Sequence, residues 1–135
     1  MIVKEIIEDI EGVLRENPLA SEFDIAFASY VEDESGSIKV DNVEAYHWDE
    51  DEEFFLVPSG AAHLYKLPVV ELKAGAFLKE LCNIENKEIL SYEAFAREQI
   101  KTLKDGSVAS LNSPLWGTGV HNEARLIYFY HGKQP

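Results

Sequence analysis

A histidine and a carboxylate, separated by one residue, lie near the carboxyl-terminal end of the sequence. His121 follows Trp116 in a segment, residues 112–122, that also contains two glycines, and Glu123 comes just after this segment. An imidazole beside a carboxylate is the usual pair for general-base catalysis, because the carboxylate can orient the ring. One hypothesis is therefore a small-ligand pocket or enzyme site around a 112–122 loop, with His121 as general base and Trp116 as a stacking wall. The alternative is an exposed loop histidine, with Trp116 packed at the edge of the core.

The other signals for phosphate binding or covalent catalysis are incomplete. Gly117 and Gly119 precede a predicted strand, whereas a phosphate-binding loop precedes a helix whose amides hold the phosphate. Ser59 lacks the flanking glycines of a nucleophile elbow, and neither Ser-x-x-Lys nor His-Glu-x-x-His occurs. We predict a mobile connection at residues 112–119 and no covalent catalytic site.

The histidines and a run of five carboxylates at residues 49–53 have the residue types that bind metal ions. The four histidines are far apart in the sequence: His47, His63, His121 and His131. They lack the paired spacing that is typical of zinc sites. The acidic run alternates somewhat like calcium ligands, but Phe54 and Gly60 stand where a calcium loop needs Gly and Glu. We predict a solvated acidic turn, with no metal and no cofactor.

The acidic residues are concentrated in the first half of the chain. Of the net charge of −13, residues 1–53 contribute −14 (17 acidic and three basic side chains) and residues 54–135 contribute +1 (eight and nine). Such a field repels phosphate groups, so we predict no binding to nucleic acid or to a membrane surface. A basic protein surface is the natural partner. The alternative is that the charge only keeps the protein soluble.

Aromatic residues accompany the acidic run. Trp48 immediately precedes the five carboxylates, and exposed aromatic side chains beside carboxylates are typical anchors of protein interfaces. We therefore predict a binding surface that contains Trp48, Asp49, Asp51, Glu53 and Trp116. The alternative assigns the aromatic residues to the core.

The first half of the chain has clear periodic patterns. Apolar residues recur at helical spacing over residues 2–16, and the Asn-Pro pair at 17–18 ends this predicted helix. Three predicted strands follow as an antiparallel meander, with a turn at residues 33–37 and a bulge near residues 41–42. These strands are residues 23–31, 38–48 and 54–57.

The second half is less regular. A helix is predicted around residues 75–82, and a better one at residues 91–103 with Ser91 as N-cap. A short strand at residues 107–111 and a final strand at residues 123–131, apolar on both faces, complete the pattern. Residues 61–74 fit either a strand or a break, because of Pro68.

These elements predict a single α+β domain over residues 1–135, and no internal repeat is recognisable in the sequence. We expect an antiparallel sheet of about five strands with two or three helices packed on one face, in the order α-β-β-β-(α)-α-β-β. The acidic turn at residues 49–53 should share one end of this sheet with Glu16 and Glu22.

The function class that fits best is a small acidic protein-interaction module that binds a basic protein surface or a second copy of itself. The composition resembles that of small acidic binding proteins, such as toxin-neutralising immunity proteins and secretion chaperones, although no motif assigns the chain to either family. Cys82 is the only cysteine, and the amino terminus lacks the pattern of a secretory signal. We therefore predict a cytoplasmic protein.

Overall fold

A computed structural model describes residues 1–31, 36–68 and 72–134. Within these residues the chain forms two α-helices and six β-strands in the order α-β-β-β-α-β-β-β. The elements are α1 (Val3–Glu16), β1 (Asp24–Tyr30), β2 (Ile38–Trp48), β3 (Glu53–Pro58), α2 (Ala74–Cys82), β4 (Glu93–Thr102), β5 (Val108–His121) and β6 (Leu126–His131). Short 3₁₀ helices lie at Pro18–Glu22, Ala62–Tyr65 and Lys87–Ser91. Across this part of the chain, no helix is long and apolar enough to span a membrane.

Helix α1 confirms the prediction from the sequence. Its apolar stripe is buried, and the side chains of Val3, Ile6 and Ile10 have no exposed area. At its amino-terminal end the Glu5 carboxylate accepts a hydrogen bond from the Ile2 N–H at 3.0 Å, which satisfies one of the backbone donors that a helix leaves unpaired. The helix therefore presents an apolar face to the core and a charged face to solvent.

The strands form a closed barrel rather than the open antiparallel sheet of about five strands that we predicted. Neighbouring strands along the chain pair antiparallel within each half, which confirms the meander of β1, β2 and β3. Two parallel pairs, β3 with β4 and β6 with β1, join the halves and close the barrel. The last strand, β6, has a neighbour on each side, β5 and β1.

The barrel has a helical end, which we define as the end at which β1, β3, β4 and β6 begin and β2 and β5 finish. The pairing directions require this arrangement. Both helices lie there rather than on one face of a sheet, because they precede β1 and β4. Their apolar faces join the barrel interior in one core cluster. The strand residues in that cluster are Ile25, Phe27, Val43, Phe54, Leu56, Ala94, Ala96, Leu115, Ile127 and Phe129.

The two halves of the barrel have the same backbone plan. Each half contains a helix, a 3₁₀ helix and three strands in that order, and the third 3₁₀ helix, Ala62–Tyr65, lies between the halves. The residue before each helix forms an isolated bridge to the first residue of a strand in the other half: Ile2 to Glu93, and Lys73 to Asp24. Each helix therefore begins beside the strand that follows the other helix.

The irregularities of the strands repeat as well. The register shifts between Val43 and Ala45 in β2, and between Leu115 and Gly117 in β5. These shifts make Glu44 and Trp116 the extra residues at corresponding positions. The bulge predicted near residues 41–42 thus exists, two residues further along. The shared plan shows a structural repeat that the sequence pattern does not reveal.

The predicted helix at residues 91–103 was wrong, because these residues form strand β4. The inward positions of this strand hold Ala94 and Ala96, which are fully buried, and the outward positions hold Phe95 and Arg97. Small residues on the inside and large ones on the outside hide the alternation that identifies a strand. The apolar residues that remain happen to fit a helical stripe.

The predicted loop at residues 112–122 was also wrong, because residues 108–121 form the long strand β5. The helix predicted at 75–82 is confirmed as α2. Residues 62–65 form a 3₁₀ helix within the ambiguous segment. Residues 69–71, and residues 32–35 of the predicted turn and its flank, lie outside the described residues.

Candidate binding site

The acidic turn between β2 and β3 lies at the helical end, where the sequence placed it beside Glu22 and the end of α1. Its geometry is fixed by Asp49, whose Oδ1 accepts hydrogen bonds from the Asp51 N–H at 3.0 Å and the Glu53 N–H at 3.2 Å. The Asp49 N–H donates to the Glu53 carbonyl at 3.0 Å. A short, closed turn therefore holds five consecutive carboxylates at the rim of the barrel.

The hydrogen bonds of this turn also explain why three of its carboxylates lie close together. One ligand atom from each of Asp49, Asp51 and Glu53 lies within 4.8 Å of the other two. Asp49 already uses one oxygen for backbone N–H groups. The turn's own hydrogen bonds thus account for the spacing without a cation.

Few carboxylates at the helical end have a cationic neighbour. In the described chain, the carboxylates at residues 49–53 form no ion pair within 4.0 Å, and on α1 only Glu8 does, with Lys4 at 3.9 Å. Asp24 is paired with Lys73 at 2.7 Å. The exposed acidic side chains of α1 and the turn add to this uncompensated charge: Glu5, Glu11, Glu16, Glu50, Asp51 and Glu52. The helical end is therefore strongly negative.

Trp48 is the exposed aromatic residue beside these carboxylates. It is 41% exposed, and one face of its indole stacks on Phe54 with the ring centroids 6.4 Å apart and the planes 12° apart. Because Phe54 is fully buried, this stacking fixes the indole at the edge of the core. The structure thus brings together Trp48, Asp49, Asp51 and Glu53, four of the five residues predicted to bind.

A cleft of about 300 Å³ adjoins Trp48 and lies between β2 and α2. Its lining residues are Tyr46, His47, Trp48, Pro68 and Glu80. The Tyr46 ring packs on Phe77 of α2, with centroids 5.4 Å apart. Burial, together with the nearby charge of Glu80, raises the pKa of the Tyr46 hydroxyl above its usual value. The cleft therefore combines aromatic walls with one carboxylate.

His47 forms part of a second cluster, on the outer surface of the barrel. Its Nε2 accepts a hydrogen bond from Arg97 Nε at 3.4 Å, and burial and the Arg97 charge lower the pKa of the imidazole. The Arg97 guanidinium carbon lies 3.6 Å from the Phe55 ring centroid and 4.9 Å from that of Tyr65. Its Nη1 donates to Asn112 Oδ1 at 3.0 Å. This arginine is held between aromatic rings and neutral acceptors.

The structure places the two residues of the proposed catalytic pair, His121 and Glu123, at the end of β5 and in the turn that follows it. His121 is exposed at the end of β5, and its Nδ1 accepts a hydrogen bond from the Ala124 N–H at 2.9 Å. A neutral ring that accepts at Nδ1 carries its proton on Nε2. No hydrogen bond joins Glu123 to His121 in the described residues. Trp116 lies earlier in β5, on the outer surface.

Trp116 belongs to an aromatic layer on the opposite half of the barrel from Trp48. Its ring is nearly parallel to those of Tyr130, at 4.8 Å, and Tyr30, at 6.3 Å. Tyr128 packs edge-on against Tyr130 at 5.2 Å. Trp116 is therefore placed apart from the acidic residues with which the sequence analysis grouped it.

The glycines of β5 make room for this aromatic layer. A Cβ on Gly119 would lie 2.5 Å from the Tyr128 ring, whereas one on Gly117 would lie 3.6 Å from the Tyr130 ring. A side chain at Gly119 would overlap the Tyr128 ring. Packing within a strand thus explains Gly119, and the glycine pair lies in a strand rather than in a phosphate loop or a mobile connection.

The histidines lie in different parts of the fold. His121 lies at the helical end and His131 at the opposite end, because β5 and β6 run in opposite directions. His131 is only 2% exposed, and its Nδ1 lies 3.8 Å from a Glu98 carboxylate oxygen. Burial lowers its pKa, although the charges of Glu98 and Asp41 oppose this shift. Among the described residues, no group of three histidines is close enough to bind one metal ion.

The chain matches no known protein family, no curated protein and no solved structure. Its candidate site therefore rests on its own geometry. Sequence reasoning missed Pro68 and Glu80 as lining residues. Both are 20 or more positions from Trp48, and only the packing of α2 at the helical end brings Glu80 to it.

Proposed function

We propose that this chain is a protein-interaction module that binds a basic protein surface with its helical end. The observation that carries the proposal is the combination of the carboxylates at residues 49–53, which form no ion pair within 4.0 Å among the described residues, with the exposed Trp48 stacked on Phe54. Charge of one sign steers an oppositely charged partner to the surface, and a desolvated aromatic anchor supplies affinity. The two features occupy the same rim of the barrel.

The remaining parts of the proposal follow from the same electrostatics. Nucleic acids and anionic membranes are disfavoured partners, because their phosphates would meet the negative field. Self-association through the helical end is disfavoured, since two chains of net charge −13 repel each other there. We place the module in the cytoplasm, where a single cysteine stays reduced. The geometry of His121 gives the alternative enzyme hypothesis no support.

The test compares two variants that remove equal charge from opposite ends of the barrel. Glu50→Gln/Asp51→Asn acts at the helical end and leaves the Asp49 turn intact, whereas Asp41→Asn/Glu98→Gln acts at the other end. Binding is measured by calorimetry at 50 and 150 mM salt, with lysozyme as a basic protein and a peptide carrying three arginines as probes.

We expect the first variant to weaken binding about 3- to 10-fold and to flatten its salt dependence, because exposed charges act locally at these ionic strengths. The control variant should change affinity less than 2-fold. Equal effects of the two variants would show that only net charge matters. Failure of both probes to bind the unaltered protein at 50 mM salt would refute the proposal itself.

A further inference from the structure

The cleft between β2 and α2 offers a cation two kinds of contact, one with an aromatic face and one with a carboxylate. Trp48 stacks on Phe54 with one face and is 41% exposed, so part of the indole is available to a ligand. On the opposite wall, the Glu80 carboxylate interacts with the Tyr46 hydroxyl. It forms no ion pair within 4.0 Å in the described part of the chain. The cleft therefore has an aromatic wall and an uncompensated negative charge.

We propose that this cleft binds the side chain of an arginine on the partner protein. The inference rests on the proposed function and adds the residue type that the module recognises. A guanidinium is planar and weakly hydrated, so it can stack on an indole while its N–H groups donate to a carboxylate. A lysine ammonium is a compact, strongly hydrated charge and makes only one of these contacts well.

The size of the cleft agrees with this occupant. About 300 Å³ is at the lower limit of pockets for small molecules, and it exceeds the volume of a single side chain. The cleft can therefore hold the side chain of one anchor residue of a partner, while the rest of the partner would lie against the rim. The turn at residues 49–53 is part of that rim, since it continues directly from Trp48.

The molecule already contains one arginine bound in this way. Arg97 lies over the Phe55 ring and beside Tyr65, and it donates to Asn112. There the guanidinium is supplied by the chain itself and its acceptors are neutral. In the cleft the carboxylate of Glu80 has no such internal partner among the described residues, which favours a cation from outside.

The experiment uses the full chain and three peptides of equal length that differ only in three positions. These positions hold arginine, lysine or citrulline, the last being an uncharged analogue of arginine. Calorimetric titrations at 150 mM salt measure binding to the unaltered protein, to Trp48→Leu, to Glu80→Gln, to the rim variant Glu50→Gln/Asp51→Asn and to the control Glu88→Gln. Thermal melting confirms that each variant is folded, as we expect for exposed positions.

We expect the arginine peptide to bind about 3- to 10-fold more tightly than the lysine peptide, and the citrulline peptide to bind least. Trp48→Leu should abolish the preference for arginine over lysine. Glu80→Gln should weaken both charged peptides, and Glu88→Gln, with the same change in net charge, should have less than half that effect.

Three results would overturn the inference. If Trp48→Leu and Glu80→Gln bind as the unaltered protein does, while Glu50→Gln/Asp51→Asn weakens binding, the acidic rim binds cations and the cleft does not. In that case the proposed function stands. If Glu88→Gln weakens binding as much as Glu80→Gln, the general field explains the result. Absence of binding to any charged peptide would remove the proposed function as well.

Discussion

Replacing Gly119 with alanine should destabilise the protein although alanine is ordinarily the better residue in a strand. Removing backbone freedom from the unfolded chain would favour Gly→Ala by roughly 0.5–1 kcal/mol. The added Cβ, however, would lie 2.5, 2.6 and 2.8 Å from three atoms of the Tyr128 side chain, about 1 Å inside normal contact distance. Either the strand shifts or the Tyr128 ring moves away from its packed position.

Overpacking of this kind costs about 1–3 kcal/mol, so the net loss should be about 1–2 kcal/mol. For a chain of this length that corresponds to a decrease in Tm of about 3–6 °C. Urea unfolding followed by circular dichroism measures the difference. Gly117→Ala is the matched control, because its Cβ would meet Tyr130 at an ordinary 3.6 Å, and it should be neutral or slightly stabilising.

A second substitution identifies the cause. Tyr128→Leu shortens the side chain that the new methyl group would strike. The loss caused by Gly119→Ala should therefore be at least 0.5 kcal/mol smaller in the Tyr128→Leu background. If Gly119→Ala and Gly117→Ala behave alike, the register between β5 and β6 and the position of the aromatic layer are both incorrect.

Three further predictions concern the turn, the buried histidine and the internal arginine. Asp49→Ala should cost about 1–2 kcal/mol, because two N–H groups lose their acceptor, whereas Glu50→Ala should stay within about 0.5 kcal/mol; equal urea midpoints would contradict this. Burial lowers the pKa of His131 below its usual 6.5. Below pH 6.5 the unfolded chain therefore binds more protons at this histidine than the native chain does. The free energy of unfolding should then fall as the pH drops from 7 towards 5. Unfolding at several pH values should show a shallower fall for His131→Gln, and an unchanged slope would contradict the assignment. Arg97→Lys should cost about 1 kcal/mol, since lysine cannot both cover Phe55 and donate as the planar fork does; equal thermal stability would show that the stacking contributes nothing.

The elements that could be predicted from the sequence are those in which the buried positions hold large apolar side chains. Helix α1 and strands β1 to β3 have apolar residues of normal size on the buried side, so their period is visible. In strand β4 this period is not visible, because the residues that face the interior, Ala94 and Ala96, are small. Closure of the barrel was not predictable, since it depends on which strands become parallel neighbours, and periodicity carries no information about partners.

In the candidate site, contacts between residues that are neighbours in sequence were predictable, and tertiary contacts were not. Trp48 and the acidic turn are contiguous in sequence, so their proximity followed once a strand was predicted to end there. Glu80 joins them only through the packing of α2 on Tyr46, which is a tertiary contact. Trp116 looked like a member of the site because of its residue type, but the bulge in β5 directs it to the aromatic layer of the other half.

The two tryptophans give the most direct test of binding at the helical end. Each indole N–H produces its own signal in a ¹⁵N-correlated NMR spectrum, and the Trp48→Leu variant identifies which is which. On addition of the three-arginine peptide at 150 mM salt, we predict that the Trp48 signal and the amides of residues 49–53 shift, while the Trp116 signal does not move. Shifts confined to Trp116 and the aromatic layer, or no shifts at all, would contradict the account.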